Sequence, residues 1–96
     1  EKQLAVWTAI RCTSEHILDY IELDGDYSIF ELSIPEEWRG KTVLQLDLRR
    51  KYGINILGLR QNGGLSMSIT PDTLLDGDIS VLILGQQKEV QRCLRI

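Results

Sequence analysis

GKTVLQLDLRRKYGINI, residues 40–56, is the stretch in which the start of a helix, its end and the start of a strand follow one another most clearly. Thr42 and Gln45, three residues apart, form a capping box, in which each side chain accepts from a free backbone N–H of the other residue. The basic run RRK complements the carbonyl end of the helix dipole, and Gly53 suits the left-handed position after a helix. The stretch therefore predicts one helix over about 43–52, followed directly by a strand.

Alternating apolar and polar residues predict further strands on both sides of this helix. Asp24-Gly25-Asp26 and Asn62-Gly63-Gly64 are turn sequences that join neighbouring strands into hairpins. The predicted elements are a connector helix at 2–14, strands at 17–23, 27–34, 54–60, 65–69 and 79–84, one helical turn at 70–72, and helices at 43–52 and 87–94. We therefore expect an α+β fold, β-β-α-β-β-β-α, with a small mixed or antiparallel sheet flanked by helices. Residues 1–16 form the connector and 17–96 the folded domain.

The composition is that of one small globular domain. The chain has 96 residues, of which 43% are hydrophobic and 26% charged, and it lacks the run of about 20 apolar residues that a membrane-spanning helix needs. A formal net charge of −3 argues against nucleic-acid binding through the phosphate backbone. Two cysteines without a C-x-x-C pair suit a reducing cytoplasm. Because the chain begins with Glu1 and its one methionine is Met67, we expect a domain cut from a longer protein.

Catalytic and metal-binding patterns are weak. His16 is the one histidine, and nothing in the sequence places a nucleophile beside it. Cys12, His16 and Cys93 are the candidate zinc ligands, but their spacing matches no zinc motif. Glycine-rich phosphate loops of the Rossmann and Walker types are absent from the sequence. The sequence therefore argues against an enzyme, with a metal protein built on Cys12, His16 and Cys93 as an alternative.

Two predicted strands carry apolar residues on both faces. In the strand from Ile54, Ile54 and Ile56 point one way while Leu57 and Leu59 point the other, and the strand from Ile79 repeats the pattern. A strand in the centre of a sheet, buried on both faces within one chain, explains this pattern, and so does a dimer interface. The pattern alone leaves both explanations open.

The corner between the predicted helix and strand also has the parts of a nucleotide pocket. Arg49, Asn55 and Ile56 lie within a few residues of one another. A guanidinium matches phosphate oxygens, an amide hydrogen-bonds a base edge, and an apolar side chain packs on a base. Basic residues at the end of a helix are, however, most often solvated, so the spacing alone is a weak signal.

The blocks G-K-T-x-x-x-L-D-L-R and K-Y-G-I-N-I, in this order and spacing, resemble a known family. Together with the strand sequences before them, and with Pro71, Gly77-Asp78 and Gly85 after them, they are similar to the TrkA-C domain. This is the C-terminal RCK domain of bacterial potassium-transport regulators of the KtrA and TrkA type. The resemblance covers about residues 17–95, and residues 1–16 correspond to the connector from the nucleotide-binding N-terminal domain of the family.

The resemblance implies a homodimer that binds cyclic di-AMP across its twofold axis. It implies that Arg49 contacts a phosphate, that Asn55 and the backbone of Ile54 contact an adenine edge, and that Val43, Ile56 and Pro71 form apolar walls. Arg50 adds a second charge next to Arg49, which we expect to strengthen the phosphate site. The polar Ser66-Met67-Ser68 segment departs from the family pattern at the rim of the pocket.

The implied function is a regulatory one, in the cytoplasm at the inner face of the membrane. A partner there is a cation channel or transporter subunit, reached through the N-terminal domain that this chain lacks. Because that domain is missing, an NAD or ATP function of the family does not carry over to this chain. The alternatives are a structural dimerisation domain without a dinucleotide ligand and a regulatory domain of a cation antiporter.

Overall fold

The computed structural model describes residues 16–95. Seven strands, three α-helices and one 3₁₀ helix follow one another in this range. They are β1 (Ile17–Asp24), β2 (Tyr27–Ser33), the 3₁₀ helix (Glu36–Trp38), β3 (Lys41–Thr42), α1 (Val43–Leu46), α2 (Leu48–Tyr52), β4 (Asn55–Gln61), β5 (Gly64–Ser66), β6 (Leu74–Leu75), β7 (Ser80–Gln86) and α3 (Gln87–Leu94). The predicted connector helix at 2–14 lies outside the described residues.

Five strands form one antiparallel sheet in the order β1-β2-β7-β4-β5. β1 with β2, and β4 with β5, are the two predicted hairpins. The last strand in the chain, β7, lies between them and pairs with β2 over seven residues. A separate two-stranded sheet joins β3 to β6. The described part of the chain therefore has the predicted α+β fold with an antiparallel sheet and flanking helices.

The hydrophobic core lies on one face of the large sheet. Phe30 and Leu32 of β2 and Val81 and Ile83 of β7 are almost completely buried. Leu48 of α2 and Val90 of α3 belong to the same core cluster, so the helices cover this face. β7 is the central strand of the sheet, which is one of the two explanations for its apolar residues on both faces. Leu82 and Leu84 are half-buried on its other face.

The predicted helix at 43–52 is wrong in one respect, because it is broken at Asp47. The capping box is present as predicted: Thr42 N–H donates to Gln45 Oε1 at 2.9 Å, and Gln45 N–H donates to Thr42 Oγ1 at 3.2 Å. Asp47 then adopts a left-handed conformation with φ of 53°, which ends α1 and precedes α2. The break rotates the two halves, so that Leu48 is buried while Leu44 is 65% exposed. A continuous stripe of Leu44, Leu48 and Tyr52 therefore does not form.

Residues 64–75 also differ from the predictions. The returning strand of the second hairpin ends at Ser66 instead of Ile69. Thr70-Pro71-Asp72 forms no helical turn; a backbone hydrogen bond of 3.0 Å from Thr73 N–H to Thr70 O closes a turn there instead. β3 and β6 were not predicted, because strands of two residues are too short to show an alternating pattern. The final helix is confirmed at Gln87–Leu94.

The helices within residues 16–95 are all too short, and too polar, to cross a lipid bilayer.

We expect Gly58→Ala to destabilise the fold, because β5 and the segment after it approach Gly58 closely. A Cβ at this position would lie 2.6 Å from the backbone oxygen of Ser66 and 2.6 Å from Met67 Sδ. Overpacking of this kind costs about 1–3 kcal/mol. Urea unfolding followed by circular dichroism measures the change in the free energy of unfolding.

Gly64→Ala is the matched control for this experiment. The nearest atom to its Cβ would be Gln61 O at 3.6 Å, an ordinary contact. Its free energy of unfolding should stay within about 1 kcal/mol of the parent value. Equal stability of the two variants would contradict the close approach at Gly58.

Candidate functional site

A pocket of about 300 Å³ opens where α1, α2, the start of β4 and the loop at 69–71 meet. The structure brings all six residues predicted for a ligand site around this one pocket. They are Val43, Arg49, Ile54, Asn55, Ile56 and Pro71. Five further residues line it that the sequence did not single out: Leu44, Asp47, Leu48, Ile69 and Thr70.

One wall of the pocket is fixed by hydrogen bonds between α1 and the loop that follows β5. Val43 N–H donates to Thr73 O at 3.0 Å, and Leu44 N–H donates to Pro71 O at 3.0 Å. These two N–H groups are at the start of α1, where no carbonyl within the helix is available to them. The bonds therefore satisfy the helix start and hold Pro71 beside Val43 at the same time.

The opposite wall is fixed by the corner between α2 and β4. Gly53 has φ of 68°, a conformation that glycine adopts without strain, and its N–H donates to Arg49 O at 2.9 Å. Ile54 N–H donates to Leu48 O at 3.3 Å. This corner brings Asn55 and Ile56 back toward the helix that carries Arg49, which is why a local stretch of sequence supplies most of the site.

The left-handed turn at Asp47 joins the two halves of the site. Because the chain changes direction there, Val43 and Leu44 of α1 line the same pocket as Arg49 of α2. In a continuous helix, the six residues from 43 to 49 would turn through about 600°, which places the two side chains about 120° apart on different faces. The apolar spacing of the stretch gave no signal for this break, and a single Asp lowers the stability of a helix too little to predict one.

Two neighbouring arginines of α2, Arg49 and Arg50, differ in whether a carboxylate pairs with them. Arg50 forms an ion pair with Asp47, with Nη2 and Oδ2 2.6 Å apart. Arg49 makes neither an ion pair nor a side-chain hydrogen bond with any residue between 16 and 95. Arg50 is engaged by Asp47, and Arg49 is the cation without an ion-pair partner among the described residues; the expectation that Arg50 strengthens the phosphate site stays a prediction.

The apolar residues of the pocket differ in how far this chain buries them. Ile54 is 1% exposed and belongs to the core, whereas Ile56 is half-buried. Leu44 lines the pocket and is 65% exposed. Ile54, directly before β4, is thus buried by the chain's own interior, while Leu44 leaves apolar surface uncovered at the pocket.

Of the three residues proposed as zinc ligands, the structure describes His16 and Cys93, whereas Cys12 lies outside the described residues. His16 Nδ1 is 3.0 Å from Ser33 Oγ, and residues 16–95 contain no group of three potential metal ligands. His16 and Cys93 line a second pocket of about 210 Å³, together with Lys51 and Tyr52 at the end of α2.

The family that matches this chain is the TrkA-C domain family, over residues 28–96. The chain belongs to the TrkA-C family. It is 32% identical over 92 residues to the Ktr system potassium uptake protein A of Bacillus subtilis (strain 168). That match covers 96% of this chain and 41% of the relative, so the chain spans less than half the length of that protein.

Two solved structures show the same fold as this TrkA-C domain. The RCK C domain of the potassium transport protein KtrA, in complex with cyclic diadenosine monophosphate, has a TM-score of 0.65 at 24% identity. That match covers 97% of this chain and 96% of the other. The RCK_C domain dimer of Streptococcus agalactiae BusR, in complex with c-di-AMP, has a TM-score of 0.58 at 20% identity, covering 71% and 86% of the two chains.

The Cys93 thiol should ionise only in strongly alkaline solution. Burial and, to a smaller extent, the Glu37 carboxylate raise its pKa, Arg92 and Lys51 oppose them, and the net effect is a rise from 9.0 to about 11. In a Cys12→Ser variant carrying 13C-labelled cysteine, the Cβ chemical shift of Cys93 should show half-ionisation near pH 11 while the domain is folded. A Cys93→Ser variant in the same background should lose the signal.

The raised pKa of Cys93 also sets the direction in which the stability of the folded domain changes with pH. The thiol binds its proton more tightly in the folded state, so its contribution to stability is complete below pH 9 and is lost as the pH rises toward 11. Half-ionisation near pH 9 in the folded protein would contradict the burial of this thiol.

Proposed function

We propose that this TrkA-C domain is a regulatory sensor that binds cyclic di-AMP at the interface of a homodimer and thereby controls the transport of potassium or another cation. The observation that carries the proposal is the pocket itself. It places an unpaired guanidinium, a side-chain amide and apolar walls around one space.

Each of these groups has a counterpart in a purine dinucleotide. The Arg49 guanidinium presents parallel N–H donors that match two oxygens of a phosphate. The Asn55 amide has both a donor and an acceptor, which is the pattern needed for an adenine edge, and the backbone of Ile54 lies beside it. Val43, Ile56 and Pro71 offer apolar surface on which a base packs.

The proposed dimer follows from the symmetry of the ligand and from the exposed apolar rim. Cyclic di-AMP has two phosphates and two adenines, and an isologous dimer supplies every contact twice. Leu44 at the mouth of the pocket is 65% exposed, and Leu74 on the neighbouring β6 is 53% exposed. A second copy of the domain would cover these side chains as well as complete the site.

The comparisons support this proposal. The KtrA RCK C domain and the BusR RCK_C dimer are both bound to cyclic di-AMP, and both share this fold. The match to a potassium uptake protein supports the proposed role in potassium transport.

The regulatory effect would come from a preference of the ligand for one arrangement of the two protomers. A ligand shifts an equilibrium only by the difference in its affinity for the two states. We propose that residues before 17 pass this shift to an N-terminal domain, and through it to a membrane channel or transporter at the cytoplasmic face. A regulatory domain of a cation antiporter is the second candidate.

Isothermal titration with cyclic di-AMP tests the site directly. We expect saturable binding with one ligand per two chains, and in Arg49→Ala a loss of affinity of at least about tenfold, because a charge-assisted contact is removed twice. Lys88→Ala is the control: Lys88 is equally cationic, exposed, and lines neither pocket. Its affinity should equal that of the parent chain.

Two outcomes would overturn the proposal. A chain that sediments as a dimer but binds no cyclic di-AMP is a structural dimerisation domain. An Arg49→Ala variant that binds as tightly as Lys88→Ala removes the assignment of Arg49 to the phosphate.

The Asp47–Arg50 ion pair gives a finer test of the same pocket. Asp47 lines the pocket, and its carboxylate repels a dianionic ligand unless Arg50 neutralises it. We expect Arg50→Ala to weaken cyclic di-AMP binding severalfold, with the loss shrinking at high salt. In Asp47→Asn the same Arg50→Ala change should have little effect, because no carboxylate remains to be neutralised. An equal loss in both backgrounds would show that Arg50 acts on the ligand itself.

A further inference from the structure

The second pocket is separate from the proposed cyclic di-AMP site, although Leu48 lines both. It has a volume of about 210 Å³ and lies between the end of α2, the end of α3 and the segment around the 3₁₀ helix. Trp38, Tyr52 and Leu46 supply apolar surface to it. Nothing in the proposed dinucleotide site uses this pocket.

Three cationic side chains converge on it from different parts of the chain. Lys41 comes from β3, Lys51 from α2 and Arg95 from the end of α3. Within residues 16–95, none of the three side chains has an ion-pair partner. Among those residues, Glu37 contributes the one carboxylate that lines the pocket, and the pocket is positive on a chain whose net charge is −3.

The wall that carries Lys51 is held in place by a different cation. Arg92 Nη2 donates to the carbonyl oxygen of Lys51 at 3.2 Å and lies 2.7 Å from Glu89 Oε1. Its guanidinium carbon is 4.9 Å from the centre of the Tyr52 ring. Arg92 is therefore engaged by α2 and by Glu89 of its own helix, and no carboxylate of α3 lines the pocket beside Lys51 and Arg95.

We propose that this pocket binds a small anion of the phosphate class, held by Lys41, Lys51 and Arg95. The volume is several times the ~30 Å³ that one water occupies, which is enough for one or two phosphate groups. Cations on three separate elements surround such an anion better than a single helix would. The site does not depend on cyclic di-AMP and is tested without it.

Trp38 provides a direct optical probe. In a Trp7→Phe variant it is the one tryptophan left, and it lines the pocket. We expect titration with sodium pyrophosphate, at ionic strength held constant with sodium chloride, to change its fluorescence saturably. Lys51→Ala and Arg95→Ala in this background should each raise the dissociation constant by about tenfold, since each removes a charge-assisted contact.

Lys88→Ala is the charge-matched control and should bind like the parent. A parallel titration with ATP distinguishes a free inorganic anion from the phosphates of a nucleotide. If only pyrophosphate gives a saturable change, the ligand is a free inorganic anion. If ATP does so as well, the pocket binds the terminal phosphates of a nucleotide that projects from it. The proposal is overturned if the change is linear, if sodium chloride alone reproduces it, or if Lys51→Ala and Arg95→Ala, shown to be folded by circular dichroism, respond like Lys88→Ala.

Discussion

The left-handed backbone of Asp47 is the constraint on which the rest of this domain depends. It ends α1 after one turn and starts α2 in a new direction. Leu48 is thereby buried in the core, while Val43 and Leu44 turn toward the mouth of the pocket. An L-residue with positive φ carries a conformational cost, which Asp tolerates better than most residues do. Hydrogen bonds from α1 to the loop at 70–73 hold this arrangement.

The sheet provides the rigid support for this helical corner. β7 pairs with β2 on one side and with β4 on the other, so the last strand of the chain fixes the position of the first residues of β4. Asn55 lies opposite Leu84, and Ile56 opposite Ile83, in this register. A pocket residue such as Asn55 therefore owes its place to a strand some thirty residues further along the chain, whose buried Val81 and Ile83 anchor the core.

The short helix α2 separates two surfaces of different character. Arg49 faces the pocket with mostly apolar walls, and Lys51 faces the polar pocket next to Cys93. Arg50, between them, is 83% exposed and paired with Asp47. A negative net charge on the whole chain thus coexists with local cations that have no ion-pair partner among the described residues, and the local potential depends on these rather than on the sum over the molecule.

The sequence by itself determined the local elements and the local half of the site. Contacts between near neighbours produce the capping box at Thr42 and Gln45, the end of α2 at Gly53 and both hairpins. For the same reason one corner of the chain carries Arg49, Ile54, Asn55 and Ile56. Tertiary structure alone decided the break at Asp47, the pairing of β3 with β6 and the exposure of Leu44. Each of these depends on hydrogen bonds between segments far apart in the chain, which leave no periodic pattern in the sequence.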